Sequence, residues 1–137
     1  MNFRFTAMTT SANTDIMDII TSTTIGTRME DPPILIRADG KIAGFALICP
    51  HCDYRDEKDA RCFGEFFVML KYRRMGIGKQ VAMQLFDRHR GHWEVCYWKN
   101  NLPASLFWKE VVEEYTNGNY HICGTESNHN CGFIFDN

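Results

Sequence analysis

The sequence predicts an α+β fold, one mixed sheet with flanking helices, and three observations predict it. "PILIRADGKIAGFALIC" sets two apolar runs on either side of Asp39-Gly40, a dipeptide suited to a type I′ turn, so the stretch reads as an antiparallel hairpin. "GEFFVML", residues 64–70, is an apolar run that passes through "KYRRMGIGKQ" into apolar residues at helical spacing, a strand leading into a helix. "NYHICGT" and "CGFIFDN" flank the polar tip "ESNHN" and read as a closing strand pair.

Taken in order, "NFRFTAM" reads as a strand and "ANTDIMDIITST" as a short helix begun by Asn13 or Thr14, while the Thr-rich "TSTTIGT" favours neither. After the hairpin, "HCDYRDEKDARC" is a charged loop. The strand 64–70 is nearly all apolar, which predicts burial on both faces. From Gly78, the residues Val81, Ala82, Leu85 and Phe86 form one stripe on a helix that ends near "HRG". "HWEVCYW" is a further strand. "NNLPASLFWKEVVEEYTNG" is a second helix, with Pro103 in its first turn, Phe107, Trp108, Val111, Val112 and Tyr115 as its stripe, and Asn117-Gly118 as its stop. The predicted order is β-α-ββ-β-α-β-α-ββ.

With 137 residues, 45% hydrophobic and 23% charged, the chain is expected to form a single domain over 1–137, residues 1–30 being its atypical part. A formal net charge of -2 carries no polyelectrolyte signature, so neither nucleic acid nor an anionic membrane is favoured as a partner. No run approaches the roughly 18–20 apolar residues of a membrane span, and "MNFRFTAMTTSANTDIMDII" lacks an apolar signal core. A cytoplasmic protein is expected. Six cysteines then need an account. Cys49 and Cys52 form "CPHC", the spacing of a redox pair, yet the residues after it have no helical stripe. A zinc site would have to borrow from Cys62, His121, Cys123, His129 and Cys131, whose spacing is irregular. We therefore expect reduced cysteines, no disulfide and no metal.

The junction at 71–80 carries the functional signal. A helix that starts at the end of a strand exposes unpaired N–H groups and the positive end of its dipole, which attract an anion. Glycines there permit positive φ and remove the Cβ atoms that would hold a phosphate away. "RRMGIGKQ" thus reads as a diphosphate cradle made of Arg73, Arg74, Met75, Gly76, Ile77, Gly78 and Lys79. A Walker loop would need glycine at Arg73 and Ser or Thr at Gln80, and a dinucleotide fingerprint would need a small residue at Val81. Both fail by register. The plain alternative is a tight glycine turn with solvated basic side chains.

The stretch "FFVMLKYRRMGIGKQVAMQLF", followed by "WEVCYWKNNLPASLFW", resembles the GNAT family of N-acetyltransferases over roughly residues 33–137. That family's Arg/Gln-x-x-Gly-x-Gly/Ala motif is matched by Arg73, Gly76 and Gly78, and its Asn-x-x-Ala-x-x-Phe segment by Asn101, Ala104 and Phe107. The resemblance implies a mixed sheet in which strand 65–70 splays from strand 93–98, with acetyl-CoA as co-substrate. It implies that main-chain groups of Val68, Met69 and Leu70 bond the pantetheine arm, that residues 76–79 hold the pyrophosphate, and that Asn101, Ala104 and Phe107 line the cofactor. Catalysis would place a primary amine, from a small molecule or a peptide, against the thioester and remove its proton, with Glu65 as candidate base.

Two departures from the family pattern stand out. The tyrosine that usually protonates the thiolate is replaced by Trp108, which is no acid. The segment before the hairpin is short, so a homodimer is expected to complete the acceptor wall. A non-catalytic acyl-CoA sensor or a structural dimer is the alternative function.

Overall fold

Asp39 and Gly40 adopt φ of 50° and 75°, the backbone of a type I′ turn. They join β3 (Ile34–Ala38) to β4 (Lys41–Cys49) in an antiparallel ladder from Ile34↔Ala46 to Ala38↔Lys41. The computed structural model describes residues 33–137 in full and residues 5–6 and 14–19 by their backbone. The chain divides into two compact units, Met1–Cys49 with Gly64–Gln84, and Pro50–Phe63 with Leu85–Asn137.

In the first unit the strands follow the order β1-β2-β3-β4-β5. β1 (Phe5–Thr6) is a strand, as expected, but the stretch read as a helix is also a strand, β2 (Thr14–Ile19), antiparallel to β3 from Thr14↔Ala38 to Ile19↔Ile34. An open edge on β3 offers the backbone of "TDIMDI" a ladder, and β-branched Thr and Ile suit it, so pairing overrides the local helix-start signal. The Thr-rich stretch 21–27 lies outside the described residues.

β5 spans Arg61–Val68, beginning before the apolar run and ending two residues short of its expected end; Leu70–Tyr72 is a 3₁₀ turn. Near its end the strand lies beside β4, with Met69 N–H donating to Ala43 O at 2.7 Å and a Cβ at Gly44 excluded by the Phe67 carbonyl. Burial on both faces is not found: Glu65 is exposed and Phe67 is 41% exposed. The Phe67 ring instead lies 5.7 Å from Phe45 and 5.6 Å below the Arg73 guanidinium, so its apolar surface is satisfied by neighbours on an open face. The unit buries Ile34, Ile36, Ala43, Ala46 and Ile48, together with Ile77, Val81 and Ala82 of α1 (Ile77–Arg88).

In the second unit the order is β5-β6-β8-β7. The first residues of β5 pair in parallel with β6 (His92–Trp98) through Arg61↔Trp93 and Cys62↔Glu94. β8 (Asn130–Asp136) runs antiparallel along all of β6, and β7 (His121–Cys123) pairs with β8. α2 (Leu102–Thr116) starts at Asn101, whose side chain accepts the Ala104 N–H, and stops at Asn117 with φ 51°. Period 2 along β6 points Trp93 and Val95 to one face, where Trp93 meets Phe63 at 5.3 Å and Phe86 at 4.9 Å between ring centroids.

On the other face Glu94 is 1% exposed, and its oxygens accept the N–H groups of Asp53 (2.9 Å) and Tyr54 (2.8 Å). These bonds satisfy a buried carboxylate and tie the charged loop 51–60 to the sheet. Tyr54 donates to Asn130, while Arg55 reaches Glu57, Asp136 and the Phe135 carbonyl. His92 lies 2.7 Å from Asp136 and 3.6 Å from Asp59.

This clasp makes stability depend on pH on two sides. The hydrogen bond from Arg55 holds Glu57 down at about 2, and those from His92 and Arg55 hold Asp136 below its usual range. Depressed carboxylates stabilise the fold above their ordinary values of 4.5 and 3.8, and the gain is lost as pH falls through the folded values. The bond to Asp136 raises His92, so its contribution is complete below 6.5 and is lost as pH rises through the higher folded value. Thermal melts across pH are expected to show this clasp strongest between 4.5 and 6.5, with the alkaline decline reduced in His92→Gln. An alkaline decline unchanged in that variant refutes the assignment.

Candidate functional site

The candidate residues fall into two groups. In the first, β5 hands the chain to a 3₁₀ turn in which Met69 O accepts Tyr72 N–H (2.9 Å) and Leu70 O accepts Arg73 N–H (3.1 Å). Arg73 folds back on the strand: its Nε donates to Val68 O at 2.8 Å while its guanidinium covers Phe67. Met69 N–H is already engaged by Ala43. Arg74 then takes φ 63° and Gly76 φ 77°, two left-handed residues within three, with exposed Met75 between them. Left-handed turns of this kind make concavities lined by N–H groups.

Gly76 caps α1, because the helix's first hydrogen bond is Gln80 N–H to Gly76 O at 3.1 Å. The N–H groups of Ile77 and Gly78 therefore have no carbonyl one turn behind them, and they point out of the helix start along its dipole. Buried Ile77 anchors that turn in the core, and a Cβ built on Gly76 would meet no atom within 4 Å. Backbone donors, a fixed helix start and open space beside it are what a phosphate-bearing ligand requires. Lys79 lies in the same helical turn, and Glu65 is exposed on β5.

The second group lies on α2. Asn101 Oδ1 accepts the Ala104 N–H at 3.2 Å, so its carbonyl oxygen is committed to capping the helix. The Phe107 ring stands edge-on to Trp108 at 4.8 Å, and Trp108 stacks on Phe63 at 5.2 Å. The indole at position 108 is thus a core side chain. Tyr115 packs against Phe86 and Phe135, and its hydroxyl donates to Asp87 at 2.8 Å.

Sequence reasoning missed a third feature, Tyr97 on β6, whose hydroxyl accepts a hydrogen bond from Ser105 Oγ at 3.4 Å. The period of "HWEVCYW" was the available signal, since it sets Tyr97 on the face of Trp93 and Val95. The six cysteines form no disulfide. Cys62 Sγ donates to His51 O and Cys96 Sγ to Glu94. The hydrogen bond between Cys96 and Cys123 pushes the Cys96 thiol up and pulls the Cys123 thiol down. Among the described residues no group of three or more His, Cys, Asp or Glu is placed to hold a metal ion.

Fold and junction together define a class, α+β proteins with a mixed sheet and a glycine-opened turn between strand and helix. The model of the acetyltransferase (GNAT) family matches residues 8–111, and the chain belongs to that family. The match reaches well upstream of residue 33, where the resemblance by motif begins. Solved structures share the fold. An acetyltransferase from Thermus thermophilus is 10% identical with a TM-score of 0.59, over 77% of this chain and 64% of that one. A candidate streptothricin acetyltransferase from Bacillus anthracis str. Ames, in complex with acetyl coenzyme A, is 16% identical with a TM-score of 0.56, over 77% and 62%. A candidate acetyltransferase from Salmonella typhimurium, with acetyl-CoA, is 13% identical with a TM-score of 0.52, over 77% and 64%. The chain thus spans less than two thirds of each of these neighbours. No curated protein sequence matches it.

Gly76→Ala tests the junction's backbone. With no atom within 4 Å of the added Cβ, the cost is that of φ 77° alone, about 1 kcal/mol. Denaturant unfolding should show that loss, and an unchanged midpoint contradicts it.

Proposed function

We propose that the chain is an acetyl-CoA-dependent N-acetyltransferase that moves an acetyl group to a primary amine by direct attack. One observation carries the reading: the family's Arg-x-x-Gly-x-Gly motif falls on the left-handed turn and helix cap at Gly76, where backbone donors face open space. The match over 8–111 runs through both compact units, and so do β5 and α1, which supports reading them as parts of one domain over 1–137.

In this reading the N–H groups at 76–79 receive the pyrophosphate, with the side chains of Arg74 and Lys79 adding charge. Main-chain groups of Val68, Met69 and Leu70 line the pantetheine arm, the Met69 N–H being already given to Ala43 O and its carbonyl already accepting from Tyr72. Asn101, Ala104 and Phe107, which match the family's second motif, are assigned to the cofactor on that match. Exposed Glu65 takes the amine proton, directly or through water. The acceptor is an amine of a small molecule or peptide, and no helix of the described residues is long and apolar enough to cross a membrane.

Calorimetry with acetyl-CoA tests the cradle. Gly78→Glu brings a bulky carboxylate to the pyrophosphate and should cost ~3 kcal/mol, roughly 10²-fold in Kd. A folded variant that binds like the native chain refutes the cradle. Binding without any turnover over a panel of amines would favour the acyl-CoA sensor instead.

Self-association is the second part of the proposal. Ile42 and Phe45 on β4 are 51% and 37% exposed, apolar surface that a second copy could cover by two-fold symmetry. Light scattering at roughly 10–100 μM is expected to give a dimer, and a monomer there refutes it.

A further inference from the structure

We propose that the acceptor is a small primary amine with one positive charge and an aromatic ring close to its nitrogen, the ring lying on Phe45 and Phe67 and the ammonium at Glu65. The inference rests on the acetyltransferase reading and names the substrate class that this reading leaves open.

Every residue it uses lies in the first compact unit, on β3, β4, β5 or the turn that follows. The rings of Phe45 and Phe67 lie 5.7 Å apart and are tilted by 37°. Even with that contact, and with the Arg73 guanidinium 5.6 Å from the Phe67 centroid, the two residues remain 37% and 41% exposed. Leu35 on β3 is the cross-strand neighbour of Phe45, and Leu47 stands two residues beyond it on the same strand, both half-buried. The two rings therefore continue an apolar strip. Single exposed apolar residues are ordinary on a protein surface, but a joined aromatic pair beside a carboxylate has the make-up of a small-molecule site, apolar cover with one polar group that fixes orientation. A homodimer that covers Ile42 supplies the missing wall of this platform.

Glu65 is the polar group. It precedes Phe67 by two residues on β5, and the period of a strand sets both on one face, about 6.6–6.8 Å apart along the chain. A ring laid against Phe45 and Phe67 brings a nitrogen two or three bonds away, roughly 4–5 Å from the ring centre, to that carboxylate. With the pyrophosphate at 76–79 and the pantetheine arm along 70 to 68, the thioester end comes to the Glu65 side.

Charge selects among amines. Between residues 64 and 84 Glu65 is the only acid, whereas Lys71, Arg73, Arg74 and Lys79 are cationic. Arg73 is held over Phe67 and pinned by its Nε to Val68 O at 2.8 Å. A polyamine, or an amino sugar with several ammonium groups, finds one carboxylate here and a guanidinium that repels its second charge. A monocation whose remaining surface is apolar meets no such repulsion, and its ring gains burial against the two phenylalanines.

The step balances without another reactant. The ammonium gives one proton to Glu65, directly or through water, and the neutral nitrogen attacks the thioester carbonyl. A C–N bond forms and the C–S bond breaks, its electron pair going to sulfur. The second proton of the nitrogen passes to sulfur by way of solvent. Ammonium and thioester give amide, thiol and one proton.

The experiment follows thiol release from acetyl-CoA with phenethylamine, ethylamine and spermidine as acceptors, for the native chain, Phe45→Ala and Phe67→Leu. Leucine keeps apolar cover beneath Arg73, and acetyl-CoA affinity is measured alongside by calorimetry. In the native chain kcat/KM for phenethylamine is expected to exceed that for the other two by ~10-fold or more. Each variant should lower that preference at least ~3-fold by raising KM for phenethylamine, with ethylamine turnover and Kd for acetyl-CoA unchanged within about twofold. A native chain that uses ethylamine or spermidine as readily as phenethylamine overturns the proposal, and so does a preference that both variants keep. A peptide headed by phenylalanine that is acetylated faster than phenethylamine overturns the small-molecule acceptor. An acetyl-CoA-binding chain that turns over none of these amines overturns the site; if the native chain does not bind acetyl-CoA, the acetyltransferase reading has failed first.

Discussion

The stack of Phe63 on Trp108 is the contact on which the second unit's geometry depends. Phe63 lies 5.2 Å from Trp108, 5.3 Å from Trp93 and 5.9 Å from Phe86, so one ring gathers a side chain from α2, one from β6 and one from α1. Each such ring buries a large apolar area, and the offset geometries add roughly 0.5–1.5 kcal/mol per pair beyond it. With Trp108 held inside this cluster, α2 is fixed against β6 through its middle turns, and the chemistry open to its first turns is narrowed. A side chain buried to complete a core cannot also reach out to a ligand. The aromatic choice at 108 therefore secures the helix.

Glycines do a complementary job where strands come close. At Gly44 a Cβ would strike the Phe67 carbonyl, and at Gly132 it would strike that of Val95. In both places the neighbouring backbone occupies the room of a side chain, so these positions fix strand approach within each unit. Gly76 is the opposite case: its φ of 77° demands glycine, yet the space beside it is empty. Two kinds of glycine thus serve one fold. The first kind is enclosed by protein, and the second leaves a surface open at a helix start.

The parts that were legible in the sequence are those whose signal is local. Asp39-Gly40 named its turn, Pro103 marked a helix's first turn, and the change of period after Gly78 marked the passage from strand to helix. The parts that were not legible depend on partners far along the chain. Nothing between Thr14 and Ile19 announces that β3 has an edge for them, and their polar-apolar mixture satisfies a helix start as well as a strand. The apolar run 64–70 suggested a strand buried on both faces because composition does not say that Phe67 finds its cover in Phe45 and Arg73. Glu94 read as one more strand residue until the loop 51–60, some forty residues earlier, delivered two N–H groups to it.

At the candidate cradle, this distinction between local and distant partners separates what is preformed from what is adjustable. Arg73, the first residue of the motif, is engaged twice, by the Val68 carbonyl and by the Phe67 ring, and any contact it makes with a phosphate competes with those. A hydrogen bond from a charged donor is worth about 1.5–3 kcal/mol, so turning the guanidinium outward is not free. The N–H groups of Ile77 and Gly78 are placed by the backbone instead, their direction set by the cap at Gly76 and by the burial of Ile77. Backbone geometry, held by one glycine and one buried isoleucine, is thus the rigid element of the site, while its arginine serves first to pin the turn to β5.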